Sequence, residues 1–229
     1  MAGGKLLGRS SEFELIREAL AGARRGAGGL LLVCGEPGIG KSRLLSVAAA
    51  EAAQAGMVVA WGRCREDGGA PAFLPWLQVL RTVGGERLSG WPEVAALLAS
   101  ESAPEPVPPS ARYRLLESFA GAIGELGESA GLLTVVDDLY RADRASLAVL
   151  EHLAADLNRL RVLVLAAYRD TEVPPGGQLA SELARVAAAA GGRVVALGGL
   201  DAVDVAALIA AHAGPVERRV HQMIIQSRK

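Results

Sequence analysis

Leu30-Leu31-Leu32-Val33-Cys34-Gly35-Glu36-Pro37-Gly38-Ile39-Gly40-Lys41-Ser42 decides the reading of this chain: an apolar run breaks into a glycine-spaced turn that ends in Lys-Ser. Five apolar residues in succession suit a strand covered on both faces. Gly35 to Ser42 satisfies G-x-x-x-x-G-K-S in full, and Leu44, Leu45, Val47 and Ala48 then form the inward side of a helix expected to reach Gln54. Strand, glycine turn and helix in that order are the setting in which such a loop cradles phosphate groups. The glycines allow a tight turn and close approach, while backbone amides and the helix start direct positive dipoles inward. Gly35, Glu36, Pro37, Gly38, Ile39, Gly40, Lys41 and Ser42 are therefore the candidate nucleotide-binding residues. Lys41 is expected to bring its ammonium to the β and γ phosphates, and Ser42 to ligate Mg²⁺.

Upstream of the loop, Phe13, Ile16 and Leu20 mark a helix from Glu12 to Arg24, with Ser11 and Glu14 at capping-box spacing. Downstream, Met57 to Trp61 reads as a strand, followed by an exposed connection from Arg63 to Pro75 and a short helix near Leu77 to Leu80. Another helix is expected at Trp91 to Leu98, where Pro92 is compatible with the first turn. The proline-rich Ala103 to Pro109 excludes a regular element. Arg112 to Ile123 predicts a further helix, and Leu132 to Val136 a buried strand ending at Asp137-Asp138. Asp143 then caps a helix carrying Leu147, Leu150, Leu153, Leu157 and Leu160. Val162 to Ala166 is a strand ending before Tyr168-Arg169-Asp170; Leu179 to Ala190 is a helix, and Val194 to Leu197 the last core strand. Asp201 to Ala211 is a helix with Val205, Leu208 and Ile209 inward, after which the pattern weakens. This alternation predicts a three-layer α/β core with a mostly parallel sheet.

In an open α/β sheet, the carboxyl ends of the strands meet at the ligand crevice. That rule brings Asp137 and Asp138 toward the distant phosphate loop. Asp137 is expected to organise Mg²⁺ through water, and Asp138 to position or activate an attacking water. The competing reading is a strand end whose acids cap the next turn. Arg169, after Val162 to Tyr168, is a candidate for contacting the terminal phosphate; a local ion pair is its alternative.

Composition narrows the function classes. The 229 residues are 51% hydrophobic and 21% charged with net charge -1, which indicates a folded protein without the basic surface of a nucleic-acid-gripping domain. Cys34 and Cys64 form no CxxC pair, and His152, His212 and His221 have no metal-site spacing, so neither a disulfide scaffold nor a zinc site is expected. No export signal and no apolar stretch of about 18 residues is present, so the expected location is cytoplasmic, with no membrane span.

The pieces LLGRSSEFELI, LLVCGEPGIGKSRLL, WGRCRE, TVVDDLYRADRASLAVLEHL, VLVLAAYRD and RVVALGGLDAVDVAALIAAH together resemble the nucleotide-binding domain of bacterial STAND-type regulatory ATPases. These belong to the AAA-related P-loop group and precede effector regions in large LuxR-type transcriptional regulators. The resemblance runs from about Leu7 to Ala211. It implies sheet order 5-1-4-3-2, places Gly8 and Arg9 near the nucleotide base, and makes Arg169 the phosphate-sensing arginine. It also implies Asp137 as the Mg²⁺-associated acid and Asp138 as the water-associated acid. Tyr140-Arg141 stands where family members often carry histidine or glutamine followed by tryptophan. The family lid is longer, so the resemblance implies residues 1–200 as the nucleotide-binding core and 201–229 as an incomplete helical lid or terminal extension.

The function expected from these readings is ATP-dependent regulation with slow Mg²⁺-dependent hydrolysis coupled to conformational change. ATP and ADP are the expected ligands, with a regulatory protein or self-association as the partner. The alternative is a nucleotide-responsive interaction module without significant hydrolysis. Transfer of the terminal phosphoryl group to a small acceptor is a lesser alternative, for which no acceptor pocket is legible.

Overall fold

A computed structural model describes residues 8–65, 71–99 and 109–212. The expectations for residues 103–108 and for the chain after residue 212 lie outside them. The first half runs α1 (Ser10–Arg24), β1 (Gly29–Gly35), α2 (Lys41–Gln54), β2 (Val58–Arg63), α3 (Leu74–Val83), α4 (Pro92–Ala99) and α5 (Pro109–Gly127). The second runs β3 (Leu132–Asp137), α6 (Arg144–Ala154), β4 (Val162–Arg169), α7 (Gln178–Ala189), β5 (Arg193–Ala196) and α8 (Ala202–His212). Pairing is parallel throughout, in the order β2-β3-β4-β1-β5. This is the expected order read from the other edge of the sheet.

Period-two alternation divides the core into two layers. Leu31 and Val33 of β1, with Leu133 and Val135 of β3, pack against Phe13, Ile16 and Leu20 of α1 and Leu44, Leu45 and Ala48 of α2. Leu30, Leu32, Leu132 and Val136 face the opposite layer, built from α3, α5, α6 and α7 around Trp76, Phe119, Leu150 and Val186. Trp76 is almost fully buried, and its indole N–H donates to the Ser146 carbonyl at 2.9 Å, so its polar edge is satisfied inside the core. This three-layer arrangement sets every strand's carboxyl end on one edge, where the phosphate loop emerges.

Local details depart from the sequence reading. The capping box does not form: Arg9 is the N-cap of α1 without a side-chain cap, and the Ser11 hydroxyl donates to Glu12 instead. Asp143 does cap α6, accepting from the Ser146 amide at 2.9 Å. That helix ends at Ala154, and Leu157–Arg159 forms a 3₁₀ turn. The apolar period continues through the turn because Leu157 is buried in the same core, although the backbone is already bending toward β4. Two strands are longer than their apolar runs. β2 continues to Arg63 and β4 to Arg169, since ladder pairing extends beyond the buried side chains. Val205, Leu208 and Ile209 of α8 do not point inward; they are 39–40% exposed, and neither core layer includes α8.

Candidate functional site

The loop after β1 takes the backbone conformation that its glycines permit. Gly38 and Gly40 have φ of 79° and 109°, in the left-handed region that disfavours side chains. Gly35 closes β1 where an added Cβ would lie 2.8 Å from the Leu197 carbonyl oxygen. Glu36, Pro37, Gly38 and Gly40 are exposed, whereas Ile39 packs against the layer of α1 and α2. Lys41 opens α2, and its Nζ donates to the carbonyls of Gly35 at 2.7 Å and Glu36 at 2.8 Å. The ammonium is thus held over the loop. Partial burial lowers the Lys41 pKa, and Arg169 acts in the same direction, opposed by Asp170, Asp137 and Asp138.

Ser42 and Asp137 are brought together across the sheet edge, with Ser42 Oγ donating to Asp137 Oδ2 at 3.1 Å. Asp137 is buried at the end of β3, and its Oδ1 accepts the Asp138 amide at 2.9 Å. Asp138 follows in a left-handed conformation with φ 56°, a region that Asp tolerates better than most residues. Serine hydroxyl and carboxylate oxygens are hard donors of the kind Mg²⁺ takes, usually one or two from protein and the rest from phosphate and water. The pair fits that cation. Among the described residues, no group of three or more His, Cys, Asp or Glu forms a protein-only metal cage.

Arg169 ends β4 directly beside Gly35 in the β1–β4 register. Its guanidinium lies 5.3 Å from the centre of the Tyr140 ring, a cation–π contact that holds it at the strand edge. Gly8 and Arg9 also reach this region. Arg9 is buried and donates to the carbonyls of Gly198 and, at 3.4 Å, Ile39, while pairing with Glu12 at 3.0 Å. Gly8, with φ 66°, sits so close to Asp204 and Leu200 that a Cβ would collide with both. The amino-terminal residues therefore join the phosphate loop to the entry of α8.

Sequence reasoning missed two contributors. Arg63, at the end of β2, pairs with Asp138 at 3.3 Å and approaches Asp137 at 3.7 Å. Tyr140 supplies the face that supports Arg169. The strand-end rule contained the signal for Arg63, but ending the strand at Trp61 hid it. Cys34 and Cys64 are free and buried. Burial pushes the Cys64 thiol up to about 12, with Asp143, Asp138 and Asp137 adding to the effect, so it is a poor nucleophile at neutral pH. An open cleft of about 790 Å³ lies elsewhere, against α5 and α6, lined by Trp91, Gly121, Glu125, His152 and Arg159. It contains none of the phosphate-loop residues.

Comparison with known proteins agrees with the fold. The family described as "AAA ATPase domain" matches residues 5–165. No curated protein matches the chain. Among solved structures, the Aeropyrum pernix ORC1 protein in complex with DNA superposes with a TM-score of 0.57 at 14% identity, covering 90% of this chain and 49% of that one. Drosophila ORC bound to DNA gives 0.56 at 13% identity, covering 89% and 46%. The Walker-type ATPase PABY2304 of Pyrococcus abyssi gives 0.54 at 16% identity, covering 96% and 63%. At these identities the likeness is one of fold, and the chain spans about half the length of the two ORC structures.

Proposed function

The chain belongs to the AAA ATPase domain family, and from that premise we propose that it is an ATP-binding regulatory module of the STAND type, with slow Mg²⁺-dependent hydrolysis coupled to conformational change. The observation that carries this reading is the meeting of Ser42 with Asp137, 95 residues apart in sequence, beside the Lys41 ammonium. A hydroxyl, a carboxylate and an ammonium at one strand edge are the parts required to bind a triphosphate with its metal.

In this reading the loop amides from Gly35 to Ser42 bind the phosphates, and Lys41 exchanges its carbonyl acceptors for β and γ oxygens. Ser42 and Asp137 are the residues that would hold Mg²⁺. When bound, that ion neutralises charge on the phosphates and on the departing diphosphate. Asp138 orients water in line with the terminal phosphorus and accepts its proton; no covalent protein intermediate is required. Arg169 contacts the γ phosphate, and Arg9 with Gly8 passes the loop's position to the segment entering α8. Residues 1–200 are the binding core in this reading, and residues 201–229 an incomplete helical lid or terminal extension.

A second reading, nucleotide response without significant turnover, is favoured by one contact. The Asp138 carboxylate is paired with Arg63, which lowers its availability to water. Phosphate release by the parent protein above the protein-free rate separates the two readings.

Phosphate sensing has its own test. Parallel titration of parent and Arg169→Ala with MgATP and MgADP is expected to show that the parent prefers ATP by about tenfold, the value of one charge-assisted hydrogen bond. In the variant the preference should shrink to the part that the Lys41 contact with the γ phosphate leaves. An unchanged preference removes Arg169 from this role.

A further inference from the structure

Arg63 stands in a place that ordinary surface ion pairing does not explain. It is the Cα partner of Asp137 in the parallel β2–β3 ladder, so the two residues leave adjacent strands side by side at the crevice. The backbone beneath them is pinned. The Arg63 amide donates to Gln78 Oε1 at 2.7 Å, and the next amide, of Cys64, donates to the Asp137 carbonyl at 3.1 Å. From this base one guanidinium spans two acids, with Nε 3.3 Å from Asp138 Oδ2 and Nη2 3.7 Å from Asp137 Oδ2. That same Asp137 oxygen accepts the Ser42 hydroxyl. The positive charge of Arg63 therefore lies against the oxygen pair that fits a divalent cation.

The two partners differ in freedom. The Asp137 side chain is 11% exposed, and the Arg63 side chain 60%. A carboxylate so deeply set needs a positive neighbour, whereas an exposed guanidinium can withdraw into solvent at small cost. Two further cations at this edge are engaged elsewhere: Lys41 bonds to loop carbonyls and Arg169 rests on Tyr140. Arg63 is the cation among these three that engages the acids directly.

We propose that Arg63 is a counter-cation for Asp137 and Asp138 that competes with the divalent metal ion for Asp137, and so sets how strongly nucleotide binding depends on metal. The inference rests on the nucleotide-binding reading given above. When metal and nucleotide enter, Arg63 gives up Asp137 and keeps its pairing with Asp138. In metal-free conditions its charge favours the nucleotide's bare phosphates, and in the presence of metal it opposes the ion. Both effects reduce the coupling between metal and nucleotide.

The test is that coupling, measured by calorimetry as the ratio of the ATP dissociation constant in EDTA to that in excess Mg²⁺, at fixed ionic strength. Arg63→Gln, which keeps a polar side chain and loses the charge, is expected to raise the ratio about fivefold, the size of a screened interaction of one charge with a divalent ion near the surface. Arg63→Lys should stay within about twofold of the parent, because the charge is retained. An unchanged or smaller ratio in Arg63→Gln overturns the proposal while leaving nucleotide binding intact. Equal shifts in the two variants also overturn it, since loss of geometry rather than charge would then be the cause. If the parent binds no ATP with Mg²⁺, the nucleotide reading and the Arg63 inference both fall.

Discussion

Replacing Lys41 with alanine is expected to weaken MgATP binding about a hundredfold, the combined loss of two hydrogen bonds from a cation to phosphate oxygens. The fold should survive. Lys41 lies at the mouth of the crevice, and its two present acceptors, the carbonyls of Gly35 and Glu36, can turn to water when the ammonium is removed. Thermal unfolding of the variant should therefore match the parent in the absence of nucleotide, whereas the stabilisation on adding MgATP should nearly vanish. Equal affinities in a folded variant would mean that the ammonium makes no phosphate contact.

Asp138→Asn is expected to reduce phosphate release by about a hundredfold or more, within the range that a positioned general base contributes. Binding should change by less than about threefold, because the phosphate cradle and the Ser42–Asp137 pair are untouched. Asparagine suits this position physically, since it tolerates the left-handed backbone at φ 56° as well as aspartate does. A loss of turnover therefore reports the missing carboxylate rather than a disturbed strand end. Single-turnover phosphate release with bound MgATP is the measurement, and an unchanged rate excludes Asp138 from water handling.

The elements were legible where burial and periodicity coincide. Leu30 to Cys34 is apolar because β1 lies inside the sheet, between β4 and β5 and between two helical layers, and Leu147, Leu150 and Leu153 show the inward face of α6. The phosphate loop was readable because its glycines are demanded by backbone geometry and its Lys-Ser by chemistry. Sheet order was not contained in periodicity; it came from the family resemblance, and the observed order agrees.

The strand ends were harder to read. Hydrophobicity stops at the edge of the core, but pairing continues into the crevice, so Arg63 and Arg169 are strand residues with polar side chains. A reading based on apolar runs loses these polar strand positions at the crevice. Contacts between distant segments were equally hidden: nothing local in Tyr140 shows that it supports Arg169, and nothing in Arg9 shows its bonds to Ile39 and Gly198. The apolar side of α8 misled in the opposite sense, since its period is helical while neither core layer takes it in.

The central claim is that backbone amides and one ammonium gather a purine triphosphate at the sheet edge, and calorimetric titration of the parent protein with MgATP, MgADP and MgGTP tests it most directly. Saturable binding is predicted, tightest for MgATP, with about 2.7 kcal/mol of added stability at a ligand concentration one hundred times the dissociation constant. A cooperatively folded protein that takes up none of the three in the presence of magnesium would contradict the account.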